Sequence, residues 1–243
     1  MPQGKGRGAF EGVVYINSTV NDFETVYVTN AKTLMLSSGL CTSVNLYHVK
    51  SALYTNTTNK EVPASPCKAK PGLHLYNTTI DNVPSGFHTY SMENSRLLGT
   101  LIEHPQLQVK VSNSYINVLN IETPKGVNCD IRIQRTTINL MTGVVLNENS
   151  GIVLTASEVK NVSLKSIRVY DTSHLSIARS SFLQGEANIL LHNMANITLE
   201  NVTGTLKIRY GHLRSGSDVT GMEKKWLVVL CPLLILQLNS VYH

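Results

Sequence analysis

The pattern apolar-x-apolar-x4-apolar opens at Val109, Ile131, Ile152 and Leu175, at intervals of 22, 21 and 23 residues. One more step reaches Ile197-Thr-Leu199, where Gly204 stands in place of the third apolar residue. Each match reads as a strand whose alternate residues point inward, then a polar corner, then the next inward residue. Counting Val, Ile, Leu and Phe, the pattern also opens at Leu73, Ile138, Val162 and Leu206. Random order of such a chain gives roughly six matches, so the even spacing carries the information and the number of matches does not. A second series follows about ten residues behind the first, in Leu119-Asn-Ile121, Asn139-Leu-Met141 and Val162-Ser-Leu164. Each period therefore holds at least two strands.

A period near 22 with short strands, polar corners and no helical periodicity predicts an all-β fold, a parallel β-solenoid with coils of about 22 residues. One coil cannot bury its inward Ile, Leu and Val alone, and stacking at about 4.8 Å per coil gives them a continuous dry column. A β-sandwich also alternates apolar and polar residues, but it predicts no recurrence of this length. Composition agrees: Val, Ile and Thr, stiff at the first side-chain torsion, number 24, 15 and 22. In Cys129-Asp-Ile-Arg-Ile-Gln-Arg135, Ile131 and Ile133 are expected to face inward and Asp130, Arg132 and Gln134 outward. In Val162-Ser-Leu-Lys-Ser-Ile167, Ser163 and Lys165 are expected outside. The first hundred residues repeat less regularly, and Thr55–Gly72, holding Pro63, Pro66 and Pro71, is expected to be a surface loop.

The chain divides on this reading into a basic, Gly-rich flexible arm (1–12), the solenoid (13–214), a polar spacer (215–225) and a hydrophobic C-terminal tail (226–243). The tail Trp226–Leu238 follows Lys224 and Lys225 and contains Pro232. As a helix its thirteen residues would cover about 20 Å of a roughly 30 Å hydrocarbon core. Small residues at Ser215, Gly216 and Ser217, an eight-residue spacer and an apolar tail match the attachment signal of a glycolipid anchor, with Ser215 as the acceptor. A short tail anchor and a core strand are the alternatives. No apolar run follows the first ten residues, so no signal peptide is visible. A start placed too late in the gene would reconcile that with an anchored, cell-surface or secreted protein.

Asn17, Asn56, Asn77, Asn161, Asn196 and Asn201 each carry Ser or Thr two residues on, the acceptor pattern for N-glycosylation. Asn and Thr also serve turns and side-chain ladders. Among the four cysteines no CxxC pair occurs, which excludes zinc ribbons and thioredoxin-type motifs. In a secreted chain Cys41 and Cys67 form the expected disulfide, leaving Cys129 free or intermolecular and Cys231 in the tail; in a cytosolic chain they are ordinary buried thiols.

The segments Asn161-Val-Ser-Leu-Lys-Ser-Ile-Arg-Val169, His174-Leu-Ser-Ile-Ala-Arg-Ser-Ser-Phe182 and Asn196-Ile-Thr-Leu-Glu-Asn-Val-Thr-Gly204 resemble coils of right-handed parallel β-helix proteins, the pectin-lyase-like superfamily. The likeness spans about residues 105–214 and implies the fold, in a superfamily that includes lyases, glycoside hydrolases and non-enzymatic surface proteins. The hydrolases' carboxylate motifs are missing. The five Asp residues, at 22, 81, 130, 171 and 218, form no Asp-Asp pair and no Asn-Thr-Asp. Gly211-His212 lacks the third residue of Gly-His-Gly, and Lys207-Ile-Arg209 reverses Arg-Ile-Lys. A lyase needs a base and a calcium-holding carboxylate cluster, whereas Asp130 and Asp171 stand about two coils apart.

The formal net charge is +5, and residues 105–214 hold eleven Lys or Arg against seven Asp or Glu. Stacked outward positions would align Arg132, Lys165 and Arg209 as a basic stripe attracting anionic glycans or lipid head groups. The alternative is a set of charges that keep an exposed sheet soluble and its edge unpaired. No recognition helix or aromatic RNA-binding pair accompanies the dispersed charge, so no nucleic acid is expected. Nor is a cofactor or metal. The expected role is a non-catalytic glycoprotein of adhesion, recognition or structure, with a glycan or protein ligand and membrane contact through the tail or lipid anchor. The alternative is a degenerate or unrecognised carbohydrate-active enzyme of the same superfamily.

Overall fold

A computed structural model describes residues 13–16, 25–37, 43–55, 72–83, 87–101, 108–163, 167–210, 219–220 and 227–229. They form a parallel β-solenoid whose strands alternate between a ten-stranded and a twelve-stranded sheet. Among the described residues there is no helix.

The spacing read from the sequence is the register of the ten-stranded sheet. Val109 pairs with Ile131, Ile131 with Ile152, Ile152 with Leu175 and Leu175 with Ile197, all in parallel strands. The third apolar positions form the matching row of the other sheet, Ile116, Ile138, Val159 and Phe182. All of these are buried in one continuous core. The second series holds as well, since Leu119 pairs with Met141 and Met141 with Val162. Ile131 and Ile133 point inward while Arg132 and Gln134 are exposed, as the alternation requires. At Leu73 the match is genuine, with Leu73, Leu75 and Ile80 all buried. At Ile138 it is out of phase, with Leu140 and Val145 only half-buried.

The four-residue gap in the pattern is a corner with its own chemistry. Asn30, His48, Asn77, Asn94, Asn113, Arg135, Ala156, Arg179 and Asn201 all sit in the left-handed region at φ between +47° and +57°. Only glycine adopts that conformation without strain, and Asn tolerates it better than most residues, which accounts for five of the nine being Asn. From His48 to Asn201 the corner recurs at seven steps, so this part of the chain makes seven turns.

Directly after the corner the chain buries a hydroxyl, at Thr78, Ser95, Ser114, Thr136, Ser157 and Ser180. Each turn hands its backbone N–H to the next turn's oxygen: Thr78 to Ser95 (3.0 Å), Ser95 to Ser114 (3.1 Å), Thr136 to Ser157 (3.2 Å) and Ser157 to Ser180 (3.1 Å). The hydroxyls of Ser95, Ser114, Thr136, Ser157 and Ser180 donate in turn to carbonyls two residues upstream. Buried polar groups without partners would cost several kcal/mol in total, roughly 1–3 each, so the ladder lets the sheet bend without leaving groups unpaired.

A similar column lines the opposite corner. The Cys129 N–H donates to Ser150 Oγ at 3.4 Å and the Ser150 N–H to Ser173 Oγ at 3.3 Å. Cys129 thus occupies a ladder position as a buried free thiol, 1% exposed, and burial pushes its pKa up. Gly204 breaks the apolar pattern for a steric reason. It lies at φ +119°, and a Cβ there would run into the carbonyl oxygen and Cβ of Phe182 on the preceding coil.

Coils early in the chain are shorter. Successive corners from Asn30 to Asn113 are 18, 29, 17 and 19 residues apart, against 22, 21, 23 and 22 from Asn113 to Asn201. The long step spans the proline-rich stretch, of which 56–71 lies outside the described residues, as do the arm and nearly all of the tail.

Candidate functional site

Because alternate residues of each strand point outward, the ten-stranded sheet presents straight rows along the solenoid. One row runs Asn45, His74, Ser91, Lys110, Arg132, and its neighbour Tyr47, Tyr76, Glu93, Ser112, Gln134. Steps along a row are about 4.8 Å. Over the strands Ser43–Tyr47, Gly72–Tyr76, Thr89–Glu93 and Gln108–Ser112 these rows line an open groove of about 410 Å³, with the main chain of Leu75 and Met92 in its floor.

Aromatic groups wall one side. The Tyr47 and Tyr76 ring centroids lie 6.1 Å apart at 48°, and His48 meets Tyr76 edge-on at 5.5 Å. In the other row the His74 ring leans over Gly72, where a Cβ would sit 2.8 Å from Nε2 and 2.5 Å from Thr89 Oγ1. A side chain at position 72 would therefore displace the imidazole. The Gly72 N–H donates to Ser43 Oγ at 3.0 Å, and His74 Nδ1 lies 2.6 Å from Ser91 Oγ. Half-buried in this setting, His74 has its pKa lowered by desolvation.

Charge is sparse. Glu93 is the one carboxylate in the groove lining and Lys110 the one primary amine. Among the described residues Lys110 makes no ion pair, whereas Arg132, just beyond it, pairs with Asp130 at 3.0 Å. The groove therefore offers ring faces, amides, hydroxyls, one anion and one cation. That inventory can bind a polar chain, but a lone carboxylate does not make the acid and base pair of glycoside hydrolysis. Among the described residues no group of three or more His, Cys, Asp or Glu is placed to hold a metal ion, and no helix is long and apolar enough to cross a membrane.

The basic residues singled out by sequence are not brought together. Arg132 stands on the ten-stranded sheet and Arg209 on the twelve-stranded one, while Lys165 lies outside the described residues. Outward rows stack only within one sheet, so Arg132 lines up with Lys110, and Arg209 lines up with Leu190 and Arg168. Lys207, two residues from Arg209, pairs with Glu186 at 2.5 Å, and that pairing lowers the Glu186 pKa.

Among the sequon asparagines, Asn77 and Asn201 are exposed at left-handed corners and Asn196 is exposed at the start of a strand. Asn161 is half-buried and its side-chain amide donates to the Asn139 carbonyl at 3.1 Å. Asn17, Asn56, Cys41, Cys67 and Ser215 lie outside the described residues.

Sequence reasoning passed over His74, Tyr47 and Tyr76 because they fall where the recurrence is irregular. The usable signal was the match at Leu73, whose intervening outward residues are His74 and Tyr76. The chain matches no protein-family model, and no curated protein or solved structure is significantly similar to it.

Proposed function

We propose that the chain is a non-catalytic β-solenoid of the cell surface or secreted compartment that recognises a glycan chain along the outer face of its ten-stranded sheet. The observation that carries this reading is the open groove in which Tyr47 and Tyr76 stand beside Asn45, His74, Ser91 and Lys110. Ring faces suit the C–H surface of a sugar, and the surrounding amides and hydroxyls suit its alcohols. Regular steps of about 4.8 Å along the rows favour an extended ligand over a compact one. The likeness of residues 105–214 to the pectin-lyase-like superfamily supports a carbohydrate ligand, and the single groove carboxylate supports binding without turnover. Surface placement rests on the sequons and the anchor-like end of the sequence.

Binding of the full chain to an array of polysaccharides, repeated with Tyr76→Ala, tests the groove. The expected result is saturable binding to at least one glycan, weakened about tenfold by the substitution, the order of one lost aromatic contact. An array without a ligand, or binding indifferent to Tyr76→Ala, overturns it, and shortened glycan products transfer the site to the enzyme alternative. Release of the cell-expressed protein by phosphatidylinositol-specific phospholipase tests the anchor, and membrane association that persists argues against it.

A further inference from the structure

The groove's only histidine sits between its aromatic wall and its cationic end. His74 lies one register step from Ser91 and two from Lys110, with Arg132 one step further. At about 4.8 Å per step, its ring lies on the order of 10 Å from the Lys110 position. The ring is fixed by the space above Gly72 and by Ser91 Oγ, 2.6 Å from Nδ1. Its place in the groove is therefore the same whether or not it carries a proton.

The charged and titratable groups facing it can be named strand by strand. Ser43–Tyr47 contributes Tyr47, its own strand Tyr76, Thr89–Glu93 contributes Glu93, and Gln108–Ser112 contributes Lys110; His48 meets Tyr76 at the corner. Glu93 and Lys110 balance each other, so a neutral His74 leaves the groove lining without net charge. One added proton gives it a net positive charge in the row that already ends in Lys110 and Arg132. Because both faces of this site are partly withdrawn from water, that single charge is screened less than one at the open surface.

We infer that His74 makes the groove acid-responsive, its protonation turning the row His74–Ser91–Lys110–Arg132 into a cationic track for a carboxylated or sulfated glycan chain. This rests on the groove being a glycan site. Burial lowers the imidazole pKa, which places the response on the acid side of neutrality. Nδ1–H of the imidazolium donates to Ser91 Oγ, and Nε2–H is left to meet an anionic oxygen of the ligand.

The test is binding of the full chain to immobilised alginate, dextran sulfate and neutral dextran, at about pH 7.5 and about pH 5 and at constant ionic strength. Alginate and dextran sulfate separate carboxylate from sulfate recognition. The expected result is a gain of about threefold or more toward at least one polyanion at the acid pH, with no gain toward dextran. His74→Gln and His74→Asn, each checked for a native melting curve, are expected to remove the gain. His174→Gln, a substitution further along the same sheet and outside the groove, is expected to keep it. A gain that survives both His74 substitutions, or a wild type without one, overturns the inference. Tyr76→Ala separates the two readings. If it weakens binding at both pH values while wild type shows no gain, the groove stands and the acid response falls. If it binds as wild type does, the groove itself is lost.

Discussion

The Thr136 N–H donates to Ser157 Oγ at 3.2 Å, and Ser157 lies one full coil further along the chain. The same hydroxyl donates to the Thr155 carbonyl at 2.9 Å. One small side chain thus closes its own corner and satisfies the corner of its neighbour, which makes the ladder a stacking device.

Ser157→Ala leaves the buried Thr136 N–H without its acceptor and Thr155 with a lost donor. The expected cost is about 1–3 kcal/mol, seen as a lower urea midpoint at an unchanged slope. A midpoint equal to wild type would mean that water replaces the hydroxyl at no cost.

At Ala156 the structure carries a Cβ at φ +48°. Ala156→Asn relieves part of a strain of about 1–2 kcal/mol, because Asn tolerates the left-handed region. The melting temperature is expected to rise by a few degrees, and a fall would show that the corner is relaxed as it stands.

Ile133 is 1% exposed in the shared core. Ile133→Asp places an unpaired carboxylate there at a cost of several kcal/mol, and no cooperative unfolding transition is expected. Retention of the wild-type melting curve would refute the inward assignment.

His74 titrates the fold as well as the groove. Its folded pKa lies below the ordinary value of 6.5, so the unfolded chain takes up its proton first as the pH falls. Stability is therefore complete above that value and declines as pH drops through it, until the folded form is protonated too. Chemical unfolding at neutral and acid pH, compared with His74→Gln, should show a smaller loss in the variant. An equal loss assigns the pH dependence to other groups.

For a chain expressed through a secretory pathway, Asn77, Asn196 and Asn201 are expected to carry glycans and Asn161 to stay bare. The first three are exposed, and the fourth spends its amide on the Asn139 carbonyl. Peptide mass mapping after glycosidase treatment reads each site separately, and a modified Asn161 would show that its ladder bond is dispensable.

The regular coils were legible because strand alternation and corner length are both written in side-chain type. Ile131, Ile133 and Ile138 mark two strands and the bend between them without any tertiary information. Where the twelve-stranded sheet contributes as little as Thr79–Ile80, a coil shortens to 17 residues and a fixed-period search loses phase. The groove lies in that stretch. The corner ladder also escaped notice, because a buried Ser or Thr after a left-handed residue resembles any surface turn until the coils are stacked. Arg132 and Arg209 share a period but not a sheet, and spacing alone does not say on which side of a bend an outward residue emerges.

The uneven corner spacing has a consequence for evolution and engineering. From Asn113 to Asn201 every turn delivers the same hydroxyl-and-amide joint to the next, so whole turns of about 22 residues are interchangeable parts. Duplicating or deleting one would lengthen or shorten the rod by about 4.8 Å while leaving Tyr76, His74 and their neighbours untouched. The regular half acts as a spacer of adjustable length, and the irregular half carries the individuality of the molecule.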